Sequence, residues 1–145
     1  MTTVAQILQE KGHSAWSISP DASVYDALRL MADKDIGALL VVEETRLIGI
    51  LSERDYARKI ILKGKRSQDT QVREIMTEDV VYVSPEQTIE ECMALMTAKR
   101  VRHLPVLAHD QLLGIISIGD AVKAVISEKE FLIHQLERYI VGSRF

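Results

Sequence analysis

The sequence predicts an α/β fold of the α+β type, built from two copies of one strand–helix–strand–strand–helix unit. Three observations predict it. First, the chain repeats itself in a single register 65 residues apart. Positions 19–55 align with 84–120 without a gap and share 12 identities in 37, among them Ser19/Ser84, Pro20/Pro85, Gly49/Gly114, Ser52/Ser117 and Asp55/Asp120; chance would give about two. Second, each copy passes from an apolar stripe at helical period into two short β-branched runs. Third, a unit with one small sheet cannot bury both of its faces alone. The copies are therefore expected to pack sheet against sheet in one pseudo-twofold module with matching clefts.

The elements follow in the same order in each copy. A short extended stretch, Trp-Ser-Ile at 16–18 or Val-Tyr-Val at 81–83, ends at Ser-Pro-Asp or Ser-Pro-Glu. A helix follows, opened by Ser23 with Asp26 or Thr88 with Glu91, the spacing of a reciprocal N-terminal cap. Its buried stripe is 24, 27, 28, 31 in one copy and 89, 92, 93, 96 in the other. Strands are predicted at 38–42 and 47–51, and at 103–107 and 112–116, joined by polar turns at 43–46 and 108–111. A second helix starts at Ser52 or Ser117. Short helices are predicted at 3–10 and 71–76, ahead of each copy, and residues 63–70 read as a polar connector. The division expected is 1–66 for the first repeat with its N-terminal helix, and 67–145 for the second. The last helix is predicted from 118 to about 140. Its Val122, Val125, Ile126, Leu132, Leu136, Tyr139 and Ile140 offer more apolar surface than one small module covers, so they form either a core stripe or a homodimer contact.

Composition narrows the function classes. A hydrophobic share of 47% suffices for a core, and a net charge of −3 gives no general attraction to nucleic acid or anionic membrane. Any phosphate binding must then come from local geometry. The single cysteine, Cys92, excludes an internal disulfide framework and a cysteine metal cluster. It replaces Ala27 on the buried helix stripe and reads as an inert core thiol. No apolar run approaches the ~18 residues of a membrane span, and no secretory signal opens the chain. A soluble, cytoplasmic protein with no membrane partner is expected. His13, His103, His109 and His134 lack metal-ligand spacing, and no nucleophilic triad is apparent. The basic group Arg58, Lys59, Lys63, Lys65 and Arg66 reads as a solvated helix end and linker rather than a nucleic-acid surface.

The segments with chemical potential are Gly-Ile-Leu-Ser-Glu-Arg-Asp at 49–55 and Gly-Ile-Ile-Ser-Ile-Gly-Asp at 114–120. Ser-x-x-Asp at a strand-to-helix junction is a helix cap. It also suits a nucleoside phosphate: a helix N-terminus attracts phosphate, and a carboxylate one turn on can accept hydrogen bonds from a ribose diol. Cap and ligand site are compatible.

With these doubled motifs, the Ser-Pro-Asp/Glu steps and Arg-His-Leu-Pro-Val at 102–106, the chain resembles a tandem CBS-domain pair (a Bateman module), most closely the small free-standing bacterial CBS proteins. The resemblance covers about residues 3–140. It implies a regulatory protein without catalytic residues or a catalytic cofactor. Such a protein binds AMP, ADP, ATP, NAD or S-adenosylmethionine in the clefts between repeats and changes shape or affinity for a regulated partner. Carried over position by position, the second cleft uses Asp120 for the ribose and Ser117 for phosphate. Ile115, Ile36 and Gly37 line the adenine slot, Arg102 and His103 face the phosphates, and residues 11–16 border the pocket. Trp16 within that stretch is expected in the core rather than stacked on a base. The first cleft uses Asp55, Ser52, Ile50, Val101 and residues 77–81, from Thr77 to Val81. It has Gly37 and Ala38 where the second has Arg102 and His103, which makes unequal occupancy or two unlike ligands a natural consequence. Arg54, with no counterpart in the second copy, either reaches a phosphate or is an exposed first-turn residue. Two other readings compete: an interaction scaffold with vestigial clefts, and a nucleotide-processing enzyme, for which no base or metal set is found.

Overall fold

The computed structural model describes residues 1–143. Its elements are α1 (Val4–Lys11), β1 (Ser17–Ile18), α2 (Val24–Lys34), β2 (Ala38–Glu43), β3 (Arg46–Ser52) and α3 (Glu53–Tyr56), then a π-helical turn at Ala57–Ile61 and a 3-10 turn at Ser67–Asp69. The remainder is α4 (Val72–Ile75), α5 (Ile89–Lys99), β4 (His103–Ala108), β5 (Gln111–Ser117) and α6 (Ile118–Ser143). The mixed helix and strand architecture with small sheets is the one predicted.

The compact units do not follow the division at residue 66. Residues 14–81 form one unit; residues 1–13 join residues 82 onward in the other. Positions 144 and 145, at the end of the span assigned to the second repeat, lie outside the described residues. The cause is an exchange of leading helices. At the start of α4, the Val72 N–H donates to Ala22 O (2.9 Å) and Arg73 N–H to Pro20 O (2.9 Å), while Val24 N–H donates to Thr70 O (2.8 Å). The second repeat makes the same three bonds to α1: Val4 N–H to Gln87 O (2.8 Å), Ala5 N–H to Pro85 O (3.0 Å) and Ile89 N–H to Thr2 O (3.0 Å). Each repeat is thus closed by the helix that precedes the other one in the chain.

In the 14–81 unit, β1 runs parallel to β2, and β2 pairs antiparallel with β3. Val24, Ala27 and Met31 of α2 pack with Leu39, Val41 and Leu51 of the sheet, and Ile60, Val72 and Ile75 complete the core. Of the predicted cap at Ser23, only one half forms: the Asp26 N–H donates to Ser23 Oγ (3.0 Å). The connector contains the 3-10 turn and is tied down by Thr70 Oγ1 donating to Arg66 O (2.8 Å).

In the other unit, β4 and β5 form a two-stranded antiparallel ladder, and the predicted strand at 81–83 reduces to one parallel bridge from Val83 to Val106. Val4 and Leu8 of α1, Ile89 and Cys92 of α5, and Leu104, Val106 and Ile116 of the ladder are buried. Thr88 forms the full reciprocal cap with Glu91. The two hairpins share a register shift after Val41 and after Val106, equivalent positions in the repeat. Such a bulge increases local twist.

The conserved spacing of Gly49 and Gly114 between repeats has a steric basis. A Cβ on Gly49 would stand 2.8 Å from Met76 Sδ and 3.0 Å from Thr77 O, and one on Gly114 would stand 2.8 Å from Leu8 Cδ2. Each glycine lets a leading helix settle on the hairpin. Gly49→Ala is expected to cost about 1–3 kcal/mol through overpacking, read as a lower thermal midpoint; an unchanged midpoint would mean that the Thr77 backbone yields freely.

From Lys129 through Ile140, α6 is exposed at every position. Val122, Ile126, Leu132, Leu136, Tyr139 and Ile140 are all exposed, and only Val125 is partly covered, so the core-stripe reading of α6 is not what this unit contains.

Candidate functional site

Each Ser-x-x-Asp segment forms a helix start, and the two are built alike. In the 14–81 unit, Ser52 N–H (2.9 Å) and Ser52 Oγ (3.1 Å) donate to Asp55 Oδ2, and the Asp55 N–H returns a bond to Ser52 Oγ (3.2 Å). The Glu53 N–H donates to Gly37 O (3.1 Å). In the other unit, Ser117 N–H donates to Asp120 Oδ2 (2.8 Å), Asp120 N–H to Ser117 Oγ (3.2 Å), and Ile118 N–H to Arg102 O (2.8 Å). The duplication therefore preserves the whole hydrogen-bonded junction, including the carbonyl that caps it.

The surroundings of the two carboxylates differ. Asp55 Oδ1 accepts from Thr77 Oγ1 (3.2 Å) and is paired with Lys59 Nζ (3.1 Å), whose other bond goes to Ile75 O (2.9 Å). Thr77 is fixed by a backbone bridge with Ile50, at 3.0 and 2.9 Å. Ile50, Ser52, Asp55, Thr77 and Gly37 are thus brought together within one unit. Ile36 is half-buried against its core, Arg54 is exposed in the first turn of α3, and Val81 is half-buried beyond Thr77.

At Asp120 the cation is Lys11, from the end of α1. Its Nζ lies 2.6 Å from Asp120 Oδ2 and donates to Ile115 O at 2.9 Å. The Asp120 side chain is 22% exposed against 11% for Asp55. A groove of about 350 Å³ opens beside it, with Thr2, Gln6, Lys11, Lys123 and Glu128 on its walls. His103 pairs with Ser117 across the β4–β5 ladder, Arg102 is exposed at its start, and Val101 precedes it, its N–H donating to Met96 O (3.1 Å). Ser117, Asp120, Ile115, Arg102 and His103 are thus gathered in this unit, while Ile36 and Gly37, assigned to the same slot, belong to the 14–81 unit.

Burial by itself raises the Asp120 carboxyl, but the Lys11 ammonium and the Ser117 N–H outweigh it and hold the group below the usual carboxylate range. A carboxyl depressed in the folded state adds stability above its unfolded pKa, and that stability is lost as pH falls through the folded value. Lys11→Met is therefore expected to show a smaller loss of stability than wild type as pH falls below about 4, measured by denaturant titration at a series of pH values. Equal losses would mean that Lys11 does not hold Asp120 in solution. Cys92 is buried, and burial, followed by the charges of Glu91 and Glu90, pushes its thiol up to about 11, which leaves little thiolate at neutral pH.

The sequence placed Lys11 only within the stretch 11–16 that borders the second cleft, and read Lys59 as part of a solvated basic group; the structure pairs the first with Asp120 and the second with Asp55 and Ile75 O. Lys59 stands four residues after Asp55, a helical ion-pair spacing legible in principle. Lys11 carries no local signal, because its partner is 109 residues away. Trp16 departs from its expected core position: it is 44% exposed, with Lys34 Nζ 4.2 Å above its ring. Among the described residues, no group of three or more His, Cys, Asp or Glu could hold a metal ion, and no helix is long and apolar enough to cross a membrane.

A duplicated α+β unit with one hydroxyl–carboxylate helix start per copy defines a tandem-repeat module. The family model of the CBS domain matches residues 13–62 and 72–127, and the chain belongs to the CBS-domain family. It is 42% identical to the mitochondrial CBS domain-containing protein CBSX3 of Arabidopsis thaliana, over 97% of this chain and 73% of that protein. Among solved structures, it resembles a candidate signal-transduction protein with CBS domains from Burkholderia ambifaria, with 54% identity, a TM-score of 0.85, and coverage of 87% of this chain and 95% of the other. It also resembles a hexameric CBS-CP12 protein from bloom-forming cyanobacteria, with 31% identity, a TM-score of 0.74, and coverage of 84% and 70%.

Proposed function

We propose that this chain is a non-catalytic regulatory module that binds an adenine nucleotide at its Ser-x-x-Asp helix starts and acts on a partner protein or through its own assembly. The observation that carries this reading is Asp120. Its carboxylate is fixed through Oδ2, lies beside an ammonium, and opens onto a groove of about 350 Å³. A ribose diol needs a fixed, partly exposed carboxylate, and a phosphate needs a nearby cation, which Lys11 supplies here. AMP, ADP, ATP and NAD all present that pair of groups; S-adenosylmethionine presents the diol without phosphate. A regulatory role agrees with the candidate signal-transduction role of the Burkholderia relative. Nucleotide-dependent regulation then follows from linkage, since a ligand shifts a conformational equilibrium by its differential affinity for the two states.

Mass spectrometry of small molecules released from the purified protein tests the reading. Recovery of an adenine nucleotide in stoichiometric amount supports it. Absence of any such molecule, together with no binding of the five candidates by calorimetry, would sink it.

A homodimer through α6 belongs to the same proposal. The segment Phe131, Leu132, Ile133 places apolar side chains on successive faces of an exposed helix, with Leu136 one turn on and Tyr139 about two. A helix apolar on several sides is normally buried, and a second copy supplies the matching surface by symmetry. The cyanobacterial relative is a hexamer, which accords with self-association in this family.

A further inference from the structure

We propose that Lys11 makes the Asp120 site selective for phosphorylated adenosine over the bare nucleoside. This rests on the reading that Asp120 accepts the ribose diol. An isolated carboxylate that holds a ribose repels the phosphate carried on the same sugar. Lys11 cancels that charge at the source, with its Nζ 2.6 Å from Asp120 Oδ2. It is also anchored independently of the carboxylate, because Nζ donates to Ile115 O at 2.9 Å. An ammonium has three N–H donors; two are committed to these acceptors, and the third is available to a phosphate oxygen. The backbone holds the residue in place. Lys11 ends α1, the following Gly12 takes φ 93°, and the Gly12 N–H closes the helix onto Leu8 O. Lys123 lines the same groove as a second cation, alongside the carboxylates of Glu10 and Glu128, which leaves Lys11 as the cation fixed at the Asp120 carboxylate itself.

The lysine paired with the other carboxylate, Lys59 at Asp55, is placed differently. Lys59 shares Asp55 Oδ1 with Thr77 Oγ1 while both Ser52 donors occupy Oδ2, so the Asp55 carboxylate already accepts four contacts from its own unit. A carboxylate has roughly four acceptor positions. At Asp120 the Ser117 N–H and Lys11 Nζ address Oδ2, and the Ser117 hydroxyl also bonds the carboxylate. With three such contacts and twice the exposure of Asp55, Asp120 keeps an acceptor position for a diol. The two lysines are not repeat-equivalent, since Lys11 precedes the first repeat and Lys59 lies in the π-helical turn that continues α3, so selectivity arises at Asp120 from a contact the duplication did not create.

Calorimetric titration of the full chain and of Lys11→Met, Lys11→Arg and Asp120→Asn with AMP and with adenosine tests the assignment. Lys11→Met is expected to lower the ratio of AMP to adenosine affinity by about tenfold, a change of ~1.4 kcal/mol, and to flatten the salt dependence of AMP binding. Lys11→Arg is expected to retain most of the ratio. Comparing two ligands on one protein keeps the readout independent of any general loss of stability. An unchanged ratio in Lys11→Met, with both ligands weakened equally or neither affected, overturns the role of Lys11 and leaves the diol reading standing. Adenosine binding that survives Asp120→Asn, or wild type that binds neither ligand, overturns the diol reading and the selectivity with it.

Discussion

At a concentration about 100 times its dissociation constant, the preferred adenine nucleotide is expected to raise the unfolding free energy of the wild-type chain by about 2.7 kcal/mol. For a chain of 145 residues this corresponds to an upward shift of the thermal midpoint of about 8 °C. Asp120→Asn is expected to lose most of that shift. The amide occupies nearly the same volume and can still accept from the Ser117 N–H, but it removes the charge that pairs with Lys11 and replaces one acceptor with a donor. Asp55→Asn is expected to lose less, because Asp55 is already engaged by Ser52, Thr77 and Lys59. Differential scanning fluorimetry with AMP, ADP, ATP, NAD and S-adenosylmethionine measures all three proteins together. No movement of the wild-type midpoint with any of the five would remove the basis for a nucleotide sensor.

The second large effect concerns assembly. Ile133→Glu combined with Leu136→Glu places two charges on the exposed part of α6, where the side chains are 55% and 53% exposed. Because these positions lie outside the unit's own core, the folding stability of a single chain is expected to change by no more than about 0.5 kcal/mol. Self-association is expected to weaken by a factor on the order of 1000, since each substitution removes an apolar anchor worth about 2 kcal/mol and puts a charge in its place. Sedimentation velocity of wild type and variant decides the matter. A wild-type chain that stays monomeric at high concentration, or a variant that assembles as wild type does, would leave α6 to a different kind of partner.

What could be read from the sequence follows the range of the interactions involved. Ser52 with Asp55, Ser117 with Asp120 and Thr88 with Glu91 are contacts three residues apart, and each forms the cap its spacing announces. The hairpins fall where β-branched runs meet polar joints, and the strands extend about one residue beyond the predicted bounds. The leading helices were legible as helices but not in their packing. The apolar pattern of Val4, Ile7 and Leu8 is the same whichever repeat it covers, and the bridge from Thr3 to Thr88 leaves no mark in local periodicity. The same holds for Lys11, whose contacts with Asp120 and Ile115 O depend on where α1 docks. The π-helical turn at Ala57–Ile61 was hidden for another reason: Ala-Arg-Lys-Ile-Ile is an ordinary helical sequence, and the widened turn shows only in the backbone, where the Leu62 N–H donates to Ala57 O (3.2 Å), five residues back. Trp16 was misplaced because aromatic area usually goes to packing, whereas here Lys34 covers one face of the ring.

The exchange of α1 and α4 gives the polypeptide the connectivity of an insertion: the stretch 14–81 is contiguous, and its companion is assembled from the two flanks. Proteolysis or gene truncation at the obvious midpoint would therefore damage both products, parting the front half from Val72 and Ile75 and the back half from Val4 and Leu8. Trimming the first dozen residues would likewise harm the repeat encoded last, and any tag or fusion joined upstream of Thr2 borders the wall of the Asp120 groove.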